Sequence, residues 1–182
     1  QTTTFDANLE HCKVTGRSAM GAVFQVQDTI IGHFSRRQTT VETATYASEF
    51  LAARAALDES LAIRYELRML GAPIEGPIWM FGDNKSMIDS ASQPSGRLQK
   101  RHLILTWHRL REKAAMGIVR FLHITSTENV ADCLTKHLPH TPLWKLIKQW
   151  LFRRFTNDDT TPNGEYQVQN REVFGAVSPT NK

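Results

Sequence analysis

Four carboxylates in this chain fall where a site could be built: Asp6, Glu49, Asp83 and Asp132. Asp6 closes the strand-like residues 2–5, and Asp83 closes the apolar run Ile78-Trp79-Met80-Phe81. Glu49 and Asp132 fall early in helical segments. In open α/β sheets the carboxyl ends of strands point residues into a crevice. Four carboxylates gathered there would repel one another unless cations were present. Two hard divalent ions, roughly 3.5–4 Å apart, resolve that repulsion and serve an in-line displacement at phosphorus. Mg²⁺ takes oxygen ligands and is usually held by a few carboxylates plus substrate phosphates. The chemistry such a set suits is phosphodiester hydrolysis, with two Mg²⁺ as the expected cofactor and Mn²⁺ as the alternative. Each acid also has a plainer reading. Asp83 can cap a helix over residues 85–91. Glu49 can be an acid near a helix N-terminus, favoured by the helix dipole.

Positioning these acids requires a particular set of elements. Residues 2–5 are rich in β-formers, and residues 17–27 alternate as a half-buried antiparallel strand does. Residues 29–35 form a third strand, followed by the polar link Arg36-Arg37-Gln38-Thr39-Thr40. That link is either a solvated loop or a phosphate contact. Phe50, Ala53, Leu57 and Leu61 recur at helical spacing, which predicts a long helix over residues 45–70, stopped by Gly71 and Pro73. The continuous apolar run at 78–81 reads as a strand covered on both faces. A short helix over 85–91 and a long one over 98–116 follow, the latter carrying Lys100 and Arg101. A fifth strand is expected over 118–124, then a short helix over 130–136 and a last helix to Phe155 with Pro142 at its first position. The class is α/β: a mixed five-stranded sheet, three antiparallel strands and then crossover strands, flanked by helices. If the first and fourth strands are parallel neighbours, Asp6 and Asp83 meet at one sheet edge, and the two helices can bring Glu49 and Asp132 there.

The chain of 182 residues is 41% hydrophobic, enough for one domain, expected over residues 1–155. A polar tail, expected to be disordered, occupies residues 156–182. The net charge is +4. Residues 155–182 hold four acids and two bases, so +4 overall and −2 there leave +6 on the preceding part. A modestly basic domain is compatible with a polyanionic partner. Cys12 and Cys133 are far apart and lack metal-ligand spacing, which argues against a zinc site and for a reducing compartment. His102 and His108 are not at same-face spacing, so no metal pair is read there. There is no apolar run of membrane-spanning length, and no membrane partner is expected. The chain opens at Gln1, almost inside its first strand, and is expected to be a piece of a longer product.

Several stretches, in order, resemble the ribonuclease H domain of the reverse transcriptase of Ty1/copia-type retrotransposons. Phe5-Asp6-Ala7 resembles "SDA", and residues 15–24, TGRSAMGAVF, resemble "TRRSTSGYVF". Ser35-Arg36-Arg37-Gln38-Thr39-Thr40-Val41 resembles "SKKQSTV", and Ala47-Ser48-Glu49-Phe50-Leu51-Ala52 resembles "EAEYMA". Gly82-Asp83-Asn84-Lys85-Ser86 resembles "CDNQSA", and Lys100-Arg101-His102 with Trp107-His108-Arg109-Leu110-Arg111-Glu112 resemble "TKHIDIRYHFIRE". Residues 128–136, ENVADCLTK, resemble "ENLADILTK" and are the most specific stretch.

The resemblance implies a ribonuclease H-like fold, with Asp6, Glu49, Asp83 and Asp132 as the catalytic, metal-binding carboxylates. It implies an endonuclease that cleaves the RNA strand of RNA–DNA hybrids, leaving 3′-hydroxyl and 5′-phosphate ends, with RNA chosen through its 2′-hydroxyls. Arg36, Arg37, Asn84, Lys100 and Arg101 are the expected nucleic-acid contacts. The implied partner besides the hybrid is the polymerase domain of the same polyprotein. The implied location is the cytoplasm, within a virus-like particle, or the nucleus. The chain departs from the family at Ala47, Ile104 and Asn8, where the family has acids. Neither His123 nor His137 is assigned to the loop histidine that some ribonucleases H use. Two other readings compete: an inactive nucleic-acid-binding remnant of the same domain, and a related nuclease of the DDE-integrase type.

Overall fold

The computed structural model describes residues 1–151, apart from Asp28, Pro73 and Gln99. The expected tail lies outside the described residues. The chain runs β1 (Thr2–Asn8), β2 (Ala19–Val26), β3 (Thr29–Arg37), α1 (Thr45–Met69), β4 (Ile78–Gly82), α2 (Lys85–Ser92), a 3₁₀ turn (Arg101–Leu103), α3 (Ile104–Ala115), β5 (Val119–His123), α4 (Asp132–Thr135) and α5 (His140–Leu151). The sheet order is β3-β2-β1-β4-β5. β1 pairs antiparallel with β2 and β2 with β3, whereas β4 lies parallel to both β1 and β5. The five-stranded mixed sheet expected from the strand patterns is therefore present.

Alternation decides which side of the sheet each residue faces. Thr3, Phe5 and Ala7 of β1 are buried, and the Thr3 hydroxyl lies 2.9 Å from that of Ser60 on α1. Odd-numbered positions of β1 thus face α1. The helix meets the sheet along Phe50, Ala53, Ala56, Leu57 and Ser60, all 0% exposed. Alanines let the helix approach closely, and each large side chain buried there contributes about 1.5–3 kcal/mol. Met80, Met87, Leu103, Leu110 and Val119 complete the same core. Asp6, on the other parity, faces α4.

Several expected bounds shift, for identifiable reasons. β1 runs past Asp6 because β2 pairs with it as far as Asn8. On its other side the pairing with β4 ends at Thr4↔Phe81, and a crevice opens beyond it. Arg36 and Arg37 belong to β3 rather than to a loop, because they pair with Met20 and Ala19. β4 is not covered on both faces: Ile78 and Met80 are buried, but Trp79 is 36% exposed, with the Arg120 guanidinium 5.5 Å from its ring centroid. The helix expected from residue 98 starts only at Ile104; Lys100 and Arg101 precede it, at the 3₁₀ turn. Arg111 turns back to donate to the carbonyls of Ser90, Gln93 and Pro94, holding the preceding chain as a loop. α5 starts at His140, so Pro142 is its third residue, where a missing N–H still costs nothing.

Candidate active site

Asp6, Asp83 and Asp132 each offer a carboxylate oxygen to a group whose members all lie within 4.8 Å of one another. They come from three elements. Asp6 is carried by β1, just where β1 and β4 part. Asp83 follows β4, and Asp132 opens α4. Asp6 and Glu49 line one cleft of about 380 Å³ with Asp83, Asn84 and Lys136.

The plainer readings of two acids do not describe their surroundings. The residue that caps α2 is Asn84, whose Oδ1 accepts from the Met87 amide at 3.1 Å. Asp83 is free of that duty; its Oδ2 accepts from the Ser126 hydroxyl at 2.7 Å, and its backbone carbonyl lies 3.0 Å from His123 Nε2. Glu49 is the fifth residue of α1, beyond the first turn, and the dipole effect fades within that turn. It is 2% exposed, and its Oε2 has no hydrogen-bond partner among the described residues. Burial holds the Glu49 carboxyl well above the usual carboxylate range, and the negative charges of Asp6 and Asp83 push the same way. A hydrogen bond from the Ala7 backbone and the charge of Lys136 pull in the opposite direction. Asp132 is raised to about 6, chiefly by burial, against a hydrogen bond from Lys136 that lowers it.

α4 has only four residues and is held by polar contacts from afar. Asn8 Nδ2 donates to the Thr135 carbonyl at 3.0 Å, Ser35 Oγ to the Leu134 carbonyl at 2.6 Å, and Asn129 Nδ2 to the Phe5 carbonyl at 3.0 Å. The Thr135 hydroxyl donates to the Asp6 carboxylate. Gly21, opposite Asp6 in the β1–β2 ladder, makes the approach possible, since a Cβ there would lie 2.8 Å from Leu134 Cβ. Lys136 then points its ammonium at Asp132 Oδ1, 2.9 Å away, and at Asp6 Oδ1, 3.3 Å away.

The motif reading singled out none of Asn8, Gly21, Ser35, Ser126, Asn129, Thr135 or Lys136 for a role of its own. Only Thr135 and Lys136 had a local signal, standing three and four residues after Asp132, where side chains share a helix face.

The expected nucleic-acid contacts are spread more widely. Asn84 lies in the cleft itself. Arg36 and Arg37 stand level with Ala7 and Asn8 through the β1–β2–β3 register, at the same sheet edge as Asp6 but two strands away. Arg36 lies over the Phe34 ring, 4.3 Å from its centroid, and borders a separate groove with Arg54 and Asp58. Lys100 and Arg101 lie at the 3₁₀ turn, which His102 ties to Glu42 in the segment after β3, Nε2 to Oε2 at 2.8 Å.

The donor set fits hard divalent cations. The three clustered aspartates offer only oxygen, and Glu49, which shares a cleft with Asp6 and Asp83, adds a buried carboxylate oxygen without a partner among the described residues. The three aspartates could hold such an ion between them, and Glu49 lines the same cleft as Asp6 and Asp83.

No protein-family model matches the chain. The chain is 27% identical over 123 residues to the retrovirus-related Pol polyprotein from transposon TNT 1-94 of Nicotiana tabacum, a match covering 68% of this chain and 9% of that polyprotein. Among solved structures, LC11-RNase H1, isolated from compost by a metagenomic approach, superposes with a TM-score of 0.58 at 17% identity, covering 74% of this chain and 91% of that one. The same enzyme in complex with RNA/DNA hybrid gives 0.54 at 16% identity, over 74% and 92%. The foamy viral protease–reverse transcriptase in complex with RNA/DNA hybrid gives 0.55 at 17% identity, over 74% of this chain and 19% of that one. The fold of this chain is the ribonuclease H-like fold.

Proposed function

We propose that this chain is a divalent-metal-dependent ribonuclease H that cleaves the RNA strand of RNA–DNA hybrids, as the nuclease part of a retrotransposon reverse transcriptase. The observation that carries the reading is the convergence of Asp6, Asp83 and Asp132, with Glu49 in the same cleft, on a fold whose solved neighbours include two bound to RNA/DNA hybrid. Divalent ions held there, Mg²⁺ in our reading, would supply an activated water and charge stabilisation for the leaving oxygen.

The residues of the chain supply the rest. The hydrogen bond from Ser126 fixes the Asp83 carboxylate, and that from Thr135 fixes Asp6, so both face the cleft before substrate arrives. Asn84 keeps its Oδ1 for the α2 amide and leaves its amide nitrogen for a nucleic-acid acceptor. Arg36 and Arg37 give the backbone of the hybrid a cationic rail along the same edge. The partner polymerase domain of the polyprotein would add the remaining grip.

The test uses a labelled RNA–DNA hybrid, the same sequence as duplex DNA, Mg²⁺, and the Asp83→Asn variant. Cleavage of only the RNA strand by the parent, lost in the variant and in excess chelator, is the expected result. Cleavage of duplex DNA at a similar rate would favour the integrase-type reading. A folded parent that binds hybrid but cuts nothing would leave the remnant reading in its place.

A further inference from the structure

We infer that Lys136 is a resident counter-ion of the acid cluster, and that divalent metal enters the site by displacing its ammonium from Asp6 and Asp132. The inference rests on the metal-site reading above. Lys136 Nζ lies 2.9 Å from Asp132 Oδ1 and 3.3 Å from Asp6 Oδ1. These carboxylates belong to two of the three aspartates whose oxygens cluster within 4.8 Å. An ammonium has three donors and no acceptor, so it takes carboxylate lone pairs that a hard cation would otherwise use. The side chains of Asp6 and Asp132 are 1% and 8% exposed, so without a cation their charges would face each other with little water between them. Lys136 offsets that repulsion and keeps the carboxylates in place.

The lysine side chain is 33% exposed and borders the cleft, so its four-carbon stem can swing the ammonium outward into water. The Thr135 hydroxyl contacts Asp6 Oδ2, not the oxygen nearest Lys136, so Asp6 keeps its orientation during the exchange. The consequence is a threshold: the cluster is held in shape without metal, and metal affinity is lowered by the contacts the ammonium must give up.

The test titrates Mn²⁺ into the full chain by calorimetry, comparing the parent with Lys136→Gln. It also follows the Lys136 side-chain ammonium of the ¹⁵N-lysine-labelled parent by NMR during Mg²⁺ addition. Lys136→Gln is expected to bind Mn²⁺ on the order of tenfold more tightly, the part of a screened charge pair that survives the lysine's freedom to move. Its melting temperature in chelator should fall by several degrees, and its rise on adding Mn²⁺ should exceed that of the parent. The Lys136 resonance of the parent should shift with the midpoint of metal binding. Equal or weaker Mn²⁺ binding by a folded Lys136→Gln overturns the inference, as does a Lys136 resonance unmoved at saturation. If the variant fails to fold without metal, the resonance of the parent decides. Failure of both chains to bind either ion removes the metal-site reading and the inference with it. Binding by the parent with unchanged affinity in the folded variant removes the inference alone.

Discussion

The electrostatic signature of the site lies in two carboxyls that hold their protons more tightly in the folded chain than in the unfolded one. Burial raises Glu49 well above its usual range and Asp132 to about 6. The sign of the linkage follows: the stabilisation these groups give is complete below their unfolded values, near pH 4, and is lost as pH rises through the folded values. In chelator, the melting temperature should therefore fall as the pH climbs from about 4 through 6 and beyond. Glu49→Gln removes one proton-binding group and should flatten that decline, leaving the variant more stable than the parent at pH 8. Melts across the pH range check this; a parent whose stability rises steadily from pH 5 to pH 8 in chelator would contradict it. Divalent metal should reverse the trend, because it favours the charged carboxylates.

Asp132 reaches the site only because a helix of four residues is stitched to the sheet. Gly21 is the point of closest approach. Gly21→Ala would set a Cβ 2.8 Å from Leu134 Cβ and 3.1 Å from Thr135 Cγ2, so α4 must shift. The expected cost is about 1–3 kcal/mol of stability. A larger proportional loss is expected in metal affinity, measured by calorimetry beside a denaturant melt. Unchanged metal binding in the variant would show that α4 tolerates displacement. A second test concerns the loop before α3. Arg111 satisfies three carbonyls around the end of α2 and lies 4.6 Å from the Trp107 ring centroid. Arg111→Ala should cost about 1–3 kcal/mol in a urea melt, and a loss within error would mean water replaces the guanidinium. These two devices also mark where sequence reading runs out. The Ala53–Leu57 helical spacing and the alternation of residues 19–26 carry their own period, so α1 and β2 were legible. Contacts such as Asn8–Thr135 and Ser35–Leu134 join residues 127 and 99 positions apart and leave no local pattern. Gly21 fits the strand alternation like its neighbours, and no local pattern ties Arg111 to the carbonyls it meets.

At the scale of the molecule, the parallel pairing of β1 with β4 brings Asp6 and Asp83 to one edge, as the strand-end pattern led one to expect. The basic residues obey a different logic. Arg36 and Arg37 share that edge through the register of β3, a placement that the polar link read from the sequence does not carry. If they track the hybrid backbone, replacing both with Ala should weaken binding equally for all sequences. It should also lower the salt dependence of log K by about 1.4–1.8, near 0.7–0.9 for each of two phosphate contacts. Filter or anisotropy titrations between low and moderate salt measure the slope. A slope equal to that of the parent would remove these arginines from the interface.

The stitching of α4 to β1 also has a history in time. Asn129 bonds Phe5 across 124 positions and Thr135 bonds Asp6 across 129, so the two halves of the cluster leave the ribosome far apart. At about 5–20 residues per second, some 6–25 seconds separate them. During that interval the nascent chain holds Asp6 and Glu49 but not the helix that brings Asp132. The cluster that defines the site is therefore complete only once translation has passed α4, and a chain halted just after β5 would carry every strand of the sheet without it.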